Sequence, residues 1–132
     1  MTMRDVENRS DLESLLTAFY TKVFDDDLIA FFFTDVEPLN METHIPVITD
    51  FWEAVVFGKH SYRKNVMEIH QHINAKAAIE KKHLDRWVLL FTQTIDAQFE
   101  GLNATLMKQR ATSIATLMQI KLGGHTITKL QQ

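Results

Sequence analysis

Two of the chain's six histidines lie in the stretch VMEIHQH, residues 66–72, directly after a basic, tyrosine-containing segment. A neutral imidazole can hold a metal ion, move a proton, or satisfy a buried hydrogen bond. Successive residues of a helix turn by about 100°, so His70 and His72 point to nearly opposite sides and cannot serve one site. Val66, Ile69, His70 and Ile73 share an apolar side, whereas His72 goes with Asn65 and Lys76 toward water. His70 is therefore the candidate ligand. A second set comprises Tyr20, His44 and Trp87, each with a polar tip on an otherwise apolar helical face. Such tips are costly to bury without a partner. Each also has a plainer reading: Tyr20 and Trp87 as large core residues, and His44 as a hydrogen-bonded core histidine.

Other chemistries are excluded by what the sequence lacks. Without cysteine there is no disulfide, thiolate nucleophile, iron–sulfur cluster or Cys-based zinc site, so any metal must sit on nitrogen or oxygen. No GxSxG, Gly-rich phosphate loop or HExxH occurs. Glu80 and His83 form one Glu-x-x-His unit, but a di-iron bundle needs a second unit and two more inward glutamates. The pair reads instead as an exposed helical pair. His70, His72 and His83 make a poor zinc set because the first two diverge. A net charge of -3 gives no electrostatic reason to expect nucleic acid or an anionic membrane. The first ten residues lack the apolar run of a secretory signal, and the longest apolar run, LIAFFF, is far too short for a membrane span. The expectation is a soluble, cytoplasmic monomer.

The elements that must position these residues are helical throughout. With 45% apolar and 23% charged residues over 132 positions, the chain is expected to form one globular domain, residues 1–132, frayed over 1–8 and 125–132. Ser10 with Glu13 reads as a capping box opening a first helix. Leu12, Leu15, Leu16, Phe19, Tyr20, Val23 and Phe24 then mark one face of it, as far as the acidic run 25–27. Residues 28–33 form an apolar segment whose three adjacent phenylalanines cannot share a face, and 34–40 read as a loop. Asn40 caps a second helix whose stripe includes Met41, His44, Ile45, Ile48, Phe51, Trp52, Val55 and Val56, and Gly58 stops it. After the basic connection 58–65 come the short helix bearing His70 and a connector over 74–78. A long helix over 79–99 turns Leu84, Trp87, Val88, Phe91, Ile95 and Phe99 inward and ends at Gly101. A last helix, capped by Asn103, buries Met107, Ala111, Ile114, Ala115, Met118 and Leu122. No strand-period segment or internal repeat is present, so the fold class is all-α.

Haem fits this constellation. It needs one imidazole on an apolar face, a slot of bulky side chains, and a few polar groups on the opposite side. His70, the cluster 31–33, and Tyr20, His44 and Trp87 supply these parts. Ile48, Val66 and Ile69 are aliphatic candidates for the slot, and Tyr62 and Arg63 on the basic loop could meet the propionates, unless that loop is simply a solvated surface.

Most of the chain also resembles a known family. AFYTKV (18–23), HIPVITDFW (44–52), SYRKNVMEIH (61–70), HLDRWVLLF (83–91) and KQRATSIATLMQIK (108–121) look like the third group of truncated haemoglobins, in matching order and spacing. The Phe-Tyr pair on the first helix, the histidine eight residues before a tryptophan, and the tryptophan of the RW pair are more specific together than singly. The resemblance implies a two-over-two helical sandwich around haem b, with His70 as proximal iron ligand and Tyr20, His44 and Trp87 in the distal positions. Phe33, or else its neighbour Phe32, matches the aromatic residue that wedges the haem. The only paired glycines stand at positions 123 and 124, unlike the inter-helix glycine pairs of the other truncated groups. The family's frequent Leu-Pro or Pro-Leu turn is replaced here by NAKAAIEKK, 74–82.

The function implied is reversible binding of dioxygen and related small ligands. Nitric oxide dioxygenase or peroxide-linked chemistry is open to such a site, as is ligand sensing without turnover. Sustained catalysis would need a separate reductase, since no flavin or nicotinamide motif is present. A haem-free helical interaction module is the reading from another class.

Overall fold

The computed structural model describes residues 3–59 and 78–123. Within them, α1 spans Arg9–Phe24, α2 Met41–Phe57, α3 Lys81–Gln98 and α4 Leu102–Met118. A π-turn at Phe32–Val36 lies between α1 and α2, and another, Gln119–Gly123, continues α4. The described residues contain no strand, as the helical periodicity predicts. None of their helices is long and apolar enough to cross a membrane.

The stripe on α1 is buried along its length: Leu12, Leu15, Leu16, Phe19, Tyr20 and Val23 are all buried. Burying each such side chain is worth roughly 1.5–3 kcal/mol, which holds α1 against its neighbours rather than leaving it to its own propensity. Its start differs from the expected capping box. Asn8 is the N-cap, its side chain accepting the Asp11 N–H at 2.9 Å, and Ser10 lies inside the helix. Asparagine outcompetes the serine because its carbonyl reaches the free N–H groups two residues earlier.

Residues 4–8, expected to fray, are instead tied down. Val6 is fully buried, and Arg4 donates to Asp11 at 2.7 Å. Asp5 accepts the backbone N–H groups of Asn103 and Ala104 at 2.8 and 2.9 Å. Asp5 therefore does for α4 what Asn103 was expected to do. Asn103 lies within the first turn and donates its side-chain amide to the Val6 carbonyl at 2.7 Å. The N-terminal part of the chain thus supplies the cap that α4 lacks locally.

Expected boundaries hold for α2, where Asn40 accepts the Glu42 N–H at 2.9 Å and Gly58 closes the helix at φ 71°. Gly58 has the left-handed conformation that residues with a Cβ rarely adopt. The segment expected as a loop from residue 34 keeps turning as far as Val36, because the Glu37 N–H bonds to the Phe32 carbonyl five residues back.

Packing arranges these helices as two pairs, α1 with α2 and α3 with α4, joined by contacts of α1 on α3 and α2 on α4. The three-residue connection between α3 and α4 requires them to lie side by side. This is a two-over-two arrangement. Phe91 of α3 marks its centre, stacked on Trp52 of α2 (5.0 Å between ring centroids) and on Trp87 (5.6 Å), and meeting Phe19 of α1 edge-on (5.1 Å).

Candidate functional site

Tyr20, His44 and Phe33 come from α1, α2 and the π-turn, far apart in sequence, and meet at one place. The Tyr20 hydroxyl and His44 Nε2 are 2.8 Å apart, with the two rings edge-on at 4.9 Å. Phe33 stands edge-on to the other side of Tyr20, at 6.0 Å. Helical phase produces this meeting. Tyr20 belongs to the buried stripe of α1, and His44 lies one turn into α2, where the two helices converge. His44, half-buried, thus forms a hydrogen bond with Tyr20.

Burial drives the Tyr20 phenol well above its ordinary 10.0, so the hydroxyl keeps its proton at any ordinary pH. The pair then has two arrangements. Tyr20 O–H can donate to Nε2 when His44 carries its proton on Nδ1. Alternatively, His44 Nε2–H can donate to the tyrosine oxygen, leaving the phenolic proton to be offered to a third group.

Trp87 joins this set through Phe19, which packs edge-on both to Tyr20 (5.0 Å) and to Trp87 (6.1 Å). Its ring lies almost parallel to Phe91, at 5°, which fixes the plane of the indole. Ile48, one turn beyond His44 on α2, is partly buried against the same core. The adjacent phenylalanines separate as their sequence requires. Phe33 turns to Tyr20, whereas Phe32 is buried and turns to His83, with the rings 4.8 Å apart. A cleft of about 410 Å³ between α1 and the first turns of α2 includes Tyr20, Phe24, Met41 and Ile45 in its wall.

His70, Val66, Ile69, Tyr62 and Arg63 lie outside the described residues. So do the 58–65 connection beyond Lys59 and the 74–77 part of the connector. Among the described residues, no group of three His, Cys, Asp or Glu side chains is placed to hold a metal ion.

One expectation is overturned. Glu80 is exposed as expected, but His83 is not. Glu80 is the N-cap of α3, and its backbone N–H donates to Nδ1 of His83 at 2.9 Å. His83 itself is only 8% exposed. Glu-x-x-His has the spacing of a capping box, with histidine in place of the usual Glu or Gln, and that spacing was the available signal.

Further polar residues escaped the sequence reading because their partners are distant. Buried Glu53 of α2 is ion-paired with Arg9 of α1, which also donates to Asp50 at 2.8 Å. Buried Asp26 accepts from Arg86, 60 residues away.

No family model matches the chain, and no curated protein matches it by sequence. Among solved structures, it is similar to the group III truncated haemoglobin from Campylobacter jejuni, with a TM-score of 0.77 and 21% sequence identity. The match covers 92% of this chain and 95% of that one. All-helical content, the two-over-two packing and this superposition agree: the chain has the fold of a group III truncated haemoglobin.

Proposed function

We propose that this chain is a haem-binding globin, a cytoplasmic monomer that holds haem b and reversibly binds dioxygen, nitric oxide or a similar small ligand. The observation that carries the proposal is the Tyr20–His44 pair, a hydroxyl and an imidazole 2.8 Å apart within an aromatic enclosure, in a fold shared with a truncated haemoglobin.

The described residues fit such a group on its distal side. Phe33 offers a flat apolar wall, Tyr20 and His44 offer protons, and Trp87 offers an indole N–H with a fixed plane. His70 would hold the iron, with Val66, Ile69, Ile48 and either Phe33 or Phe32 around the macrocycle, and with Tyr62 and Arg63 toward the propionates. When bound, haem would supply an iron centre able to take up a small ligand.

The chain's own part is to donate hydrogen bonds. With His44 protonated on Nε2, Tyr20 is free to direct its hydroxyl proton at a partially negative ligand, and buried donors act strongly because water does not compete. Tyr20 is buried, with Phe19 and Phe33 edge-on to its ring. Nitric oxide oxidation or peroxide chemistry would draw electrons from a separate reductase.

An absorbance spectrum of the protein made with haem available tests the proposal. A Soret band is expected in the wild type and should be lost or strongly altered in His70→Ala. A wild type with no band overturns haem binding, and a band unchanged in His70→Ala overturns the ligand assignment. Mixing the dioxygen-equilibrated ferrous protein with nitric oxide in a stopped-flow instrument then tests the dioxygenase reaction.

A further inference from the structure

Asp26 sits at the turn leaving α1, buried to 7% exposure, and uses both carboxylate oxygens. Oδ2 accepts the backbone N–H groups of Leu28 and Ile29 at 3.1 and 3.2 Å, starting the segment that delivers Phe32 and Phe33. Oδ1 accepts Nε–H of Arg86 at 2.7 Å, on α3, one residue before Trp87. A single carboxylate therefore joins the end of α1, the phenylalanine segment and the helix that carries the indole.

Adjacent residues leave a helix about 100° apart. Arg86 reaches across to Asp26, while Trp87 lies over Phe91 and against Phe19. Attachments in two directions fix the rotation of α3 as well as its position along the axis. Apolar packing alone is non-directional and tolerates a roll, whereas a charge-assisted hydrogen bond does not.

We infer that Asp26 and Arg86 are positioning residues. Their ion pair sets the depth and orientation of Trp87, which is joined to Tyr20 through Phe19, and thereby the hold of the site on its ligand. The second half of this inference rests on the haem reading above; the first does not.

The test uses the full chain labelled with 5-fluorotryptophan. Its two tryptophans, Trp52 and Trp87, give two fluorine resonances that Trp87→Phe assigns. In Arg86→Met and in Asp26→Asn, the Trp87 resonance should shift or broaden more than that of Trp52, which meets α3 through its stacking on Phe91. Asp26→Asn retains an oxygen for the Leu28 and Ile29 N–H groups, so it isolates the arm to Arg86. Arg86→Lys, which restores a cation opposite Asp26, should return the resonance part of the way. Asp5→Asn weakens a comparable carboxylate clamp elsewhere and should leave Trp87 unmoved. In haem-loaded protein, Arg86→Met should speed ligand dissociation roughly threefold to tenfold, as expected when a hydrogen bond is weakened rather than lost, and Asp5→Asn should not.

A Trp87 resonance unmoved in Arg86→Met overturns the proposal. So does one moved equally by Asp5→Asn, which would mean general loosening. Should Arg86→Met fail to fold, Arg86→Gln is read in its place. A displaced resonance in protein that never takes up haem supports the clamp and overturns the haem reading instead. Haem uptake and a displaced resonance with unchanged dissociation overturn the link to ligand hold.

Discussion

The imidazole of His83 lies edge-on to the ring of Phe32, centroids 4.8 Å apart, while its Nδ1 accepts the Glu80 N–H. One side chain thus caps α3 and anchors the phenylalanine segment. Burial holds the His83 pKa below its ordinary 6.5; nearby Glu80 opposes this and Lys82 adds to it. Because the folded-state value is depressed, the unfolded chain binds more protons below 6.5. Stability from this residue is fully present above 6.5 and is lost as pH falls from there through the folded-state value. Thermal melts followed by far-UV circular dichroism should therefore shift downward between neutral pH and about pH 5. His83→Gln keeps a capping-box residue without the titration and should flatten this part of the pH dependence. An equally steep loss in His83→Gln would assign it to other groups.

Asp5 and Gly101 should fail together. Gly101 has φ 151°, and a Cβ added there would overlap the Asp5 side chain. Glycine is needed both for its backbone and for the close approach of the cap. Although desolvation pushes the Asp5 pKa upward, its hydrogen bonds from Asn103, Ala104 and Val6 outweigh this and hold it below 3.8. Asp5→Ala should cost about 1–2 kcal/mol, as for other lost helix caps. Gly101→Ala should cost about 1–3 kcal/mol through backbone strain, together with displacement of the cap. Urea titration measures both, and in the double variant the losses should fall short of additive because the two changes damage one contact.

Helical periodicity made much of this fold legible. The α1 stripe, the Asn40 and Gly58 boundaries, and the inward placing of Trp52, Phe91 and Ile95 all depend on residues within a few turns of one another. Tyr20 and His44 were legible as inward polar residues for the same reason, whereas their mutual hydrogen bond depends on how two helices converge. The failures were non-local. Asp5 capping α4, Asp26 gripping Arg86, and Arg9 pairing with Glu53 join residues 44 to 99 positions apart, and no short-range spacing marks them. His83 was misread because a histidine in a charged stretch (EKKH) looks solvated until the phenylalanine segment folds over it.

Phe91 should be the most sensitive position in the described core. It is fully buried and contacts Trp52, Trp87 and Phe19, so it joins α3 to both α1 and α2. Phe91→Ala should cost about 3–5 kcal/mol, combining lost burial with a cavity that three rigid neighbours cannot collapse to fill. Phe91→Leu should cost less, since most of the volume remains. Chemical denaturation of the two variants distinguishes a packing hub from a tolerant filler: similar small losses in both would mean that the rings around Phe91 rearrange.

The Tyr20–His44 hydrogen bond predicts how the two donors share their work. If Tyr20 offers its proton to a bound ligand, His44 must donate to the tyrosine oxygen, so the pair acts as one unit in which each residue sets the direction of the other. Tyr20→Phe removes the donated proton and should speed dioxygen dissociation from haem-loaded protein by roughly tenfold or more, as expected for a hydrogen bond to a charged partner. Trp87→Phe should also speed it, through loss of the indole N–H. His44→Leu leaves the tyrosine hydroxyl in place but frees its rotation, so its effect should be smaller than that of Tyr20→Phe and nearly absent when Tyr20 is already phenylalanine. A double-mutant cycle on dissociation rates measures that dependence. Additive effects would mean that tyrosine and histidine act separately on the ligand, and unchanged rates in both Tyr20→Phe and Trp87→Phe would remove hydrogen bonding as the control of release.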